Sequence, residues 1–231
     1  MKFLKYYQKI DDAISYLLSS VSNEKKLLKD ILGKKEITYV DIGTNVGNYL
    51  DFVKKNFKIK QVYCFEPIES LAKELEEKIL GIKKSKIFNY ALSNKNSNKK
   101  FYLYDIPSQS SFYKQNDTYT SVQKIKKKIN VKINVFDKIF TKNLKIDFCK
   151  IDAQGEDYNI LRGMEKNLKK RNIKLLKVEL CFPLMHKNVN CTYLDILNYL
   201  KRFDYDLFSI TKIKYKNNEI LFMDAFFINR R

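Results

Sequence analysis

With 231 residues, of which 45% are hydrophobic and 14% aromatic, the chain can bury one substantial core, and its composition excludes a disordered or low-complexity protein. A formal charge of +19 raises nucleic acid as a partner, yet only five of the 45 basic residues are Arg (Arg162, Arg171, Arg202, Arg230 and Arg231). Lysine-rich, asparagine-rich, alanine-poor usage is what AT-rich coding gives, so the charge is read as a solvated surface and nucleic acid as disfavoured.

No apolar run reaches the roughly 18 residues a membrane span needs, and residues near the start mix Lys and Tyr instead of forming a signal-type apolar core. A cytoplasmic location is therefore expected. Cys64, Cys149, Cys181 and Cys191 are scattered without a C-x-x-C pair, which predicts reduced thiols and no metal.

Residues 2–32 carry Phe3, Tyr6, Tyr7, Ile10, Ile14, Leu17, Leu18 and Val21 at three-and-four spacing, the stripe of an amphipathic helix or helix pair capping a sheet. The functional alternative to this cap, that its tyrosines form part of an acceptor pocket or a homodimer face, has no support in the sequence. Residues 1–36 are read as this extension and 37–231 as the main domain.

Ile37 to Asn48 reads as a buried strand running into a glycine turn and then a helix. The strand ends on Asp41, and Gly43 and Gly47 permit a tight turn with close ligand approach. A second buried strand, Gln61 to Phe65, ends on Glu66-Pro67, 25 residues beyond Asp41. A carboxylate in that place can accept hydrogen bonds from both hydroxyls of a ribose. Dinucleotide folds favour a middle glycine beside the pyrophosphate, and here that place is Asn45, preceded by Thr44. Asp41 would repel phosphate and favour an amino-acid tail. A ligand with a ribose, an amino-acid end and no phosphate fits best, which points to S-adenosylmethionine.

Ile68 to Leu80 reads as a helix ended by Gly81, and Ile87 to Ser93 as a third strand whose Asn89 to Leu92 face the adenine. Phe101 to Tyr104 is a hairpin strand, Pro107 to Gln123 a polar loop that gates the acceptor, and Val131 to Phe136 an alternating strand. Ile146 to Asp152 is a buried fourth strand ending in a carboxylate where an acceptor would approach, followed by Gln154, Glu156 and a helix. Asp152 or Glu156 capping that helix is the structural alternative. Leu175 to Cys181 is the fifth strand, with Glu179 near its end, Pro183 closing it and the single histidine, His186, in the loop beyond. A helix from Tyr193 to Phe203 and two antiparallel strands, Tyr205 to Ile210 and Ile220 to Ile228, complete the sheet.

Four runs together carry a resemblance: Val40-Asp41-Ile42-Gly43-Thr44-Asn45-Val46-Gly47, Phe65-Glu66-Pro67, Asn89-Tyr90-Ala91-Leu92-Ser93, and Lys150-Ile151-Asp152-Ala153-Gln154-Gly155-Glu156-Asp157 with Leu161-Arg162-Gly163 after it. Over residues 37 to 228 the chain resembles the FkbM family of S-adenosylmethionine-dependent methyltransferases. The resemblance implies a class I methyltransferase fold, a Rossmann-like, doubly wound seven-stranded sheet with its last strand antiparallel. It also implies O-methylation of a sugar hydroxyl or related small acceptor, such as a glycan, glycolipid or nucleotide-linked sugar. Asp41, Gly43, Asn45 and Gly47 would surround the methionine part, Glu66 the ribose, and Ala91 and Leu92 the adenine. Thr44, Asn48, Pro67 and Asn89 complete the expected cofactor set. Asp152 would take the acceptor proton, with His186 as second choice. Glu179, Gln154 and Glu156 would orient the acceptor. The rival readings are an RNA or DNA methyltransferase using the same cofactor, and a silent fold that binds a nucleotide or a partner.

Overall fold

In a computed structural model of the chain, the described residues are 24–116, 124–182, 185–189, 191–216 and 218–230. They fall into two compact units, Met1–Lys35 and Glu36–Arg231. In the first, residues 24–32 form helix α1, which ends where Gly33 N–H donates to the Lys29 carbonyl. Residues 2–23 of the expected helical stripe lie outside the described residues. None of the described helices is long and apolar enough to cross a membrane.

The second unit is an α/β domain. Its elements are β1 (Ile37–Ile42), α2 (Asn48–Asn56), β2 (Ile59–Phe65), α3 (Glu69–Lys78), β3 (Lys86–Phe88), β4 (Ala91–Leu92), β5 (Ser97–Tyr104) and β6 (Ile125–Asn134). There follow α4 (Phe136–Ile139), β7 (Ile146–Ile151), α5 (Asp157–Arg162), α6 (Glu165–Lys169), β8 (Ile173–Cys181), α7 (Tyr193–Lys201), β9 (Tyr205–Lys216) and β10 (Glu219–Asn229). Seven strands form one sheet in the order β3-β2-β1-β7-β8-β10-β9. Pairings among β3, β2, β1, β7 and β8 are parallel, and β10 runs antiparallel to both its neighbours. This is the class I sheet that the sequence motifs imply, last strand included. The chain leaves β1 toward β3 and returns on the other side at β7, so the carboxyl ends of β1 and β7 open a crevice at the switch point.

Two expected strands resolve differently. Ile87 to Ser93 is not one strand: β3 stops at Phe88, the chain turns at Asn89-Tyr90, and β4 joins a separate three-stranded sheet ordered β4-β6-β5. The turn is held by the Asn89 amide, which donates to the carbonyls of Glu66 (3.0 Å) and Pro67 (3.2 Å). The strand expected over Val131 to Phe136 starts earlier, at Ile125, and ends at Asn134. Phe136 instead opens α4 and sits fully buried. The small sheet has its own core of Ala91, Phe101, Val131 and Ile133.

Period-two alternation divides the sides of the main sheet. Val40, Ile42 and Ile151 share one apolar cluster with Ile160, Leu161 and Leu168 from α5 and α6. The other face carries Tyr39 and Phe148, stacked 5.3 Å apart, with α2 over them through Tyr49. Gly163, just past α5, approaches the chain after β4 so closely that a Cβ there would lie 2.3 Å from the Ser93 carbonyl oxygen.

The Tyr49 face also buries charge. Asp41, Lys150 and Lys177 occupy matched positions on β1, β7 and β8. Lys150 Nζ lies 3.3 Å from Asp41 Oδ1, 3.2 Å from the Gly43 carbonyl oxygen and 3.5 Å from Asp152 Oδ2. Lys177 Nζ pairs with Asp224 Oδ2 at 3.0 Å. The Tyr49 ring covers both ammonium groups, its centre 5.7 Å from Lys150 Nζ and 4.3 Å from Lys177 Nζ. Burial works against the charge on Lys150, but Asp41 and Asp152 outweigh it and hold its pKa above the ordinary lysine value. Lys150→Met, which keeps the stem and removes the charge, leaves Asp41 buried and uncompensated, so unfolding free energy should fall by about 3–5 kcal/mol. Urea denaturation measures this, and the double variant Asp41→Asn/Lys150→Met should recover part of the loss. Equal stability of wild type and Lys150→Met would show that the pair is not under strain from burial.

Candidate active site

Three loops converge at the crevice. After β1, the N–H groups of Gly43 and Thr44 donate to the Phe65 carbonyl, and Asp152 N–H donates to the Ile42 carbonyl, tying the ends of β1, β2 and β7 together. Gly43 has φ +76°, and a Cβ on it would stand 1.9 Å from the Asp152 carbonyl oxygen, so no side chain fits. Asn45 also adopts a left-handed φ, 51°, which turns its N–H toward Glu66. Gly47 faces elsewhere: a Cβ there would meet Leu75 Cδ2 of α3 at 2.7 Å, so this glycine lets two helices approach. The Thr44 hydroxyl donates to the Asp41 carbonyl, and Asn48 is the first residue of α2.

Glu66 is buried, and each carboxylate oxygen accepts one backbone N–H, Oε2 from Asn45 and Oε1 from Ile68, both at 2.8 Å. These donors fix the carboxylate plane and leave a second acceptor position on each oxygen for a pair of hydroxyls. Burial pushes its carboxyl up to about 7, against the opposing pull of the two N–H donors and of Lys150.

A cleft enclosing about 60 Å³ lies over these groups. Gly43 and Asn45 line one side, Glu66 and Pro67 the next, Ala91 and Leu92 an apolar wall, and Asp152 to Gln154 the fourth. Pro107, Ser108, Ser110 and Phe112 contribute the cover, part of the segment expected to gate the acceptor. Residues 117–123 of that segment lie outside the described residues. The lining suits S-adenosylmethionine in its chemistry: Glu66 offers acceptors for a diol, Ala91 and Leu92 offer an apolar wall, and the buried Asn45 side-chain oxygen has no partner among the described residues. Such an orphan acceptor suits an ammonium.

A second cavity, about 500 Å³, shares Ser108, Asp152 and Gln154 with the first and extends past Glu179 and Met185 to the β9–β10 hairpin. Asp152 and Gln154 therefore stand at the junction. Gln154 has φ 50° and its amide donates to Asp152 Oδ1 (3.1 Å) and Glu179 Oε2 (2.9 Å), locking the two acids into one constellation. Burial opposes ionisation of Asp152, but Lys150, the Gln154 amide, Lys212 and Lys177 prevail and hold its pKa below the usual carboxylate value. It is a carboxylate at neutral pH.

The other acids are engaged in structure. Glu156 lines the first cavity, but Oε1 accepts from Ser93 Oγ (2.5 Å) and Asn159, and Oε2 from the Tyr113 hydroxyl (2.7 Å). Asp157 accepts the N–H groups of Ala153 and Gly155 and so shapes the turn that presents Gln154. His186 is buried beside Tyr113 and Gly155, neither ring nitrogen has a partner among the described residues, and it lines neither cavity. Burial pushes its pKa down to about 4, so the ring is neutral at pH 7. Thus Gly43, Asn45, Glu66, Pro67, Ala91, Leu92, Asp152, Gln154 and Glu156 meet at the first cavity, and Glu179 at the second. Asp41, Thr44, Gly47, Asn48 and Asn89 support the loops from behind. Among the described residues, no group of three His, Cys, Asp or Glu converges as a metal site.

Sequence reasoning assigned no role to Lys150, Ser108, Lys212 or Lys214. The signal for Lys150 was present, a single charge inside the otherwise apolar end of β7. The alternation Lys212-Ile213-Lys214-Tyr215-Lys216 likewise marks one side of a strand.

Comparison with curated protein sequences gives no match. Among solved structures, magnesium protoporphyrin IX methyltransferase (ChlM) from Synechocystis PCC 6803 with bound SAM is similar, with a TM-score of 0.52 and 9% identity over 94% of this chain and 82% of that one. A putative methyltransferase from Streptococcus mutans in complex with SAH gives a TM-score of 0.50 and 13% identity over 90% and 97% of the two chains. These likenesses concern the fold. In sequence, residues 41–207 match the methyltransferase FkbM domain, well over half of the 231 residues, and the chain belongs to that methyltransferase family.

Proposed function

We propose that the protein transfers the methyl group of S-adenosylmethionine to a hydroxyl oxygen of a sugar or related small acceptor, with residues 37–231 as the catalytic domain. The observation that carries this reading is the position of Asp152, an ionised carboxylate shared by the cleft beside Glu66 and the larger polar cavity. The neighbours solved with SAM and SAH support the choice of cofactor.

When bound, S-adenosylmethionine supplies a methyl group activated by positively charged sulfur. Glu66 would hold the ribose hydroxyls, Ala91 and Leu92 the adenine, and Asn45 the amino-acid end. Asp152 has Oδ1 fixed by Gln154, and its remaining acceptor positions face the acceptor hydroxyl. As the new carbon–oxygen bond forms, the hydroxyl proton becomes strongly acidic, so a carboxylate of low basicity suffices to take it. Gln154 and Glu179 hold that carboxylate still, and alignment of this kind supplies several kcal/mol.

The reading predicts a division of labour between the two acids. Glu66→Ala should weaken S-adenosylhomocysteine binding at least tenfold, about 1.4 kcal/mol, by calorimetric titration. Asp152→Asn should bind it nearly as well as wild type and lose at least about 100-fold in methyl transfer to a panel of sugar acceptors. Turnover unchanged in Asp152→Asn would remove that residue from the proton-accepting role.

A pH dependence follows from the raised Glu66 pKa. Below about 7 its carboxyl is protonated in the free protein and loses acceptor capacity. S-adenosylhomocysteine affinity should therefore rise about tenfold from pH 6 to pH 8, while Glu66→Gln should be flat across that range. A flat wild-type profile would mean that Glu66 does not accept from the ribose.

A further inference from the structure

Taking the second cavity as the acceptor site, the β9–β10 hairpin gives it a polarity that narrows the acceptor class. Its acids, Asp152 and Glu179, come from the ends of β7 and β8, and its lysines, Lys212, Lys214 and Lys216, come from the β9–β10 hairpin. The pairing of β9 with β10 slips between Thr211↔Asp224 and Ile213↔Met223, so Lys212 is the extra residue of a β-bulge, and its φ is 43°. A left-handed lysine is a strained choice at a position where glycine or asparagine costs less. A second slip, between Ile220↔Tyr215 and Phe222↔Lys214, bends the same hairpin at Leu221. Both bulges act on the stretch that lines the cavity.

The ammonium groups of Lys212 and Lys214 lie over one ring, Phe222, with Nζ 5.1 Å and 5.8 Å from its centre. Neither makes a hydrogen bond or ion pair with a carboxylate among the described residues. Lys150 and Lys177 each stand against a carboxylate at 3.0–3.5 Å, whereas Lys212 and Lys214 are gathered on an aromatic platform with no carboxylate at ion-pair distance among the described residues, Lys212 reaching Asp152 and Asp224 only through its longer-range field.

We propose that the acceptor carries a phosphoryl group, as in a sugar phosphate or a nucleotide-linked sugar, and that Lys212 and Lys214 bind it above Phe222. The acids accept hydrogen bonds from sugar hydroxyls and repel phosphate, while the lysines attract it. A phosphorylated sugar is thereby held in one direction, hydroxyl toward Asp152 and phosphate toward the hairpin. Lysine, a compact point charge, suits the tetrahedral oxygens of a phosphoryl group, whereas planar carboxylates are better matched by arginine.

The test is titration of inorganic pyrophosphate into the full-length protein, with and without S-adenosylhomocysteine, followed by phosphorus NMR. Wild type should bind it. Lys212→Met/Lys214→Met, which preserves the stems over Phe222, should bind at least tenfold more weakly. Lys214→Met alone, which leaves the bulge untouched, should lose at least threefold. The control Lys169→Met/Lys170→Met removes two exposed charges elsewhere and should stay within twofold of wild type. Equal losses in the control would assign binding to bulk charge and overturn the proposal, as would an unaffected hairpin variant or no binding by wild type. A decauridylate that displaces pyrophosphate and depends on the same two lysines would overturn it in favour of a nucleic-acid acceptor. Failure of S-adenosylhomocysteine to bind would count against methyl transfer and leave the pyrophosphate comparison to decide the lysines separately.

Discussion

One buried ammonium organises the site. Lys150 lies within 3.5 Å of the Asp41 carboxylate, the Gly43 carbonyl and the Asp152 carboxylate, and those three groups belong to the end of β1, the cofactor loop and the end of β7. A charge taken out of water tolerates no loosening of its partners, because each lost contact exposes the full desolvation penalty. The three segments are therefore positioned as one body. Gly43 completes the constraint from the other side, since its missing Cβ lets the loop rest against the Asp152 carbonyl. The two cavities share a wall made of the same few residues.

Around this body the acids are sorted by what already holds them. Glu156 is occupied by Ser93, Asn159 and Tyr113, and thereby ties β4, α5 and the cover segment to one another. Ser111 adds a second tie, its hydroxyl donating to the Gln154 carbonyl at 2.7 Å. Asp157 is spent on backbone N–H groups. Glu66 keeps a free acceptor position on each oxygen, and Asp152 keeps Oδ2 close to a cation and open to the larger cavity. Chemistry is available only where structure has not already used the carboxylate.

How much of this was legible follows the range of the forces involved. The β1 loop and Glu66 could be read because strand periodicity, a glycine turn and a terminal acid are all local. The α/β order and the antiparallel closing strand were readable for the same reason. The break between β3 and β4 was not, since Asn89 alone interrupts the apolar run from Ile87 to Leu92 and only the second sheet decides that Ala91 and Leu92 leave the first. The sequence placed His186 near the convergent loops, but not on which side of Gly155 its ring would settle. Lys150 was visible as an anomaly at the apolar end of its strand; its distant partners Asp41 and Gly43, 109 and 107 residues away, were not.

The bulged hairpin has one more effect, unrelated to any ligand. β9 is the open margin of the sheet, twelve residues long, and it displays Leu207, Phe208 and Ile210 toward water. A flat apolar margin of that length invites another chain to add as an eighth strand. The kink at Lys212 and the charges at alternate positions beyond it interrupt the straight row of backbone groups that such an addition requires. The half from Tyr205 to Thr211 is interrupted as well, because a third slip, between Ser209↔Phe226 and Leu207↔Phe227, leaves Phe208 as an extra residue. The backbone of β9 thus breaks, at two points, the straight row of groups along which an added strand would pair.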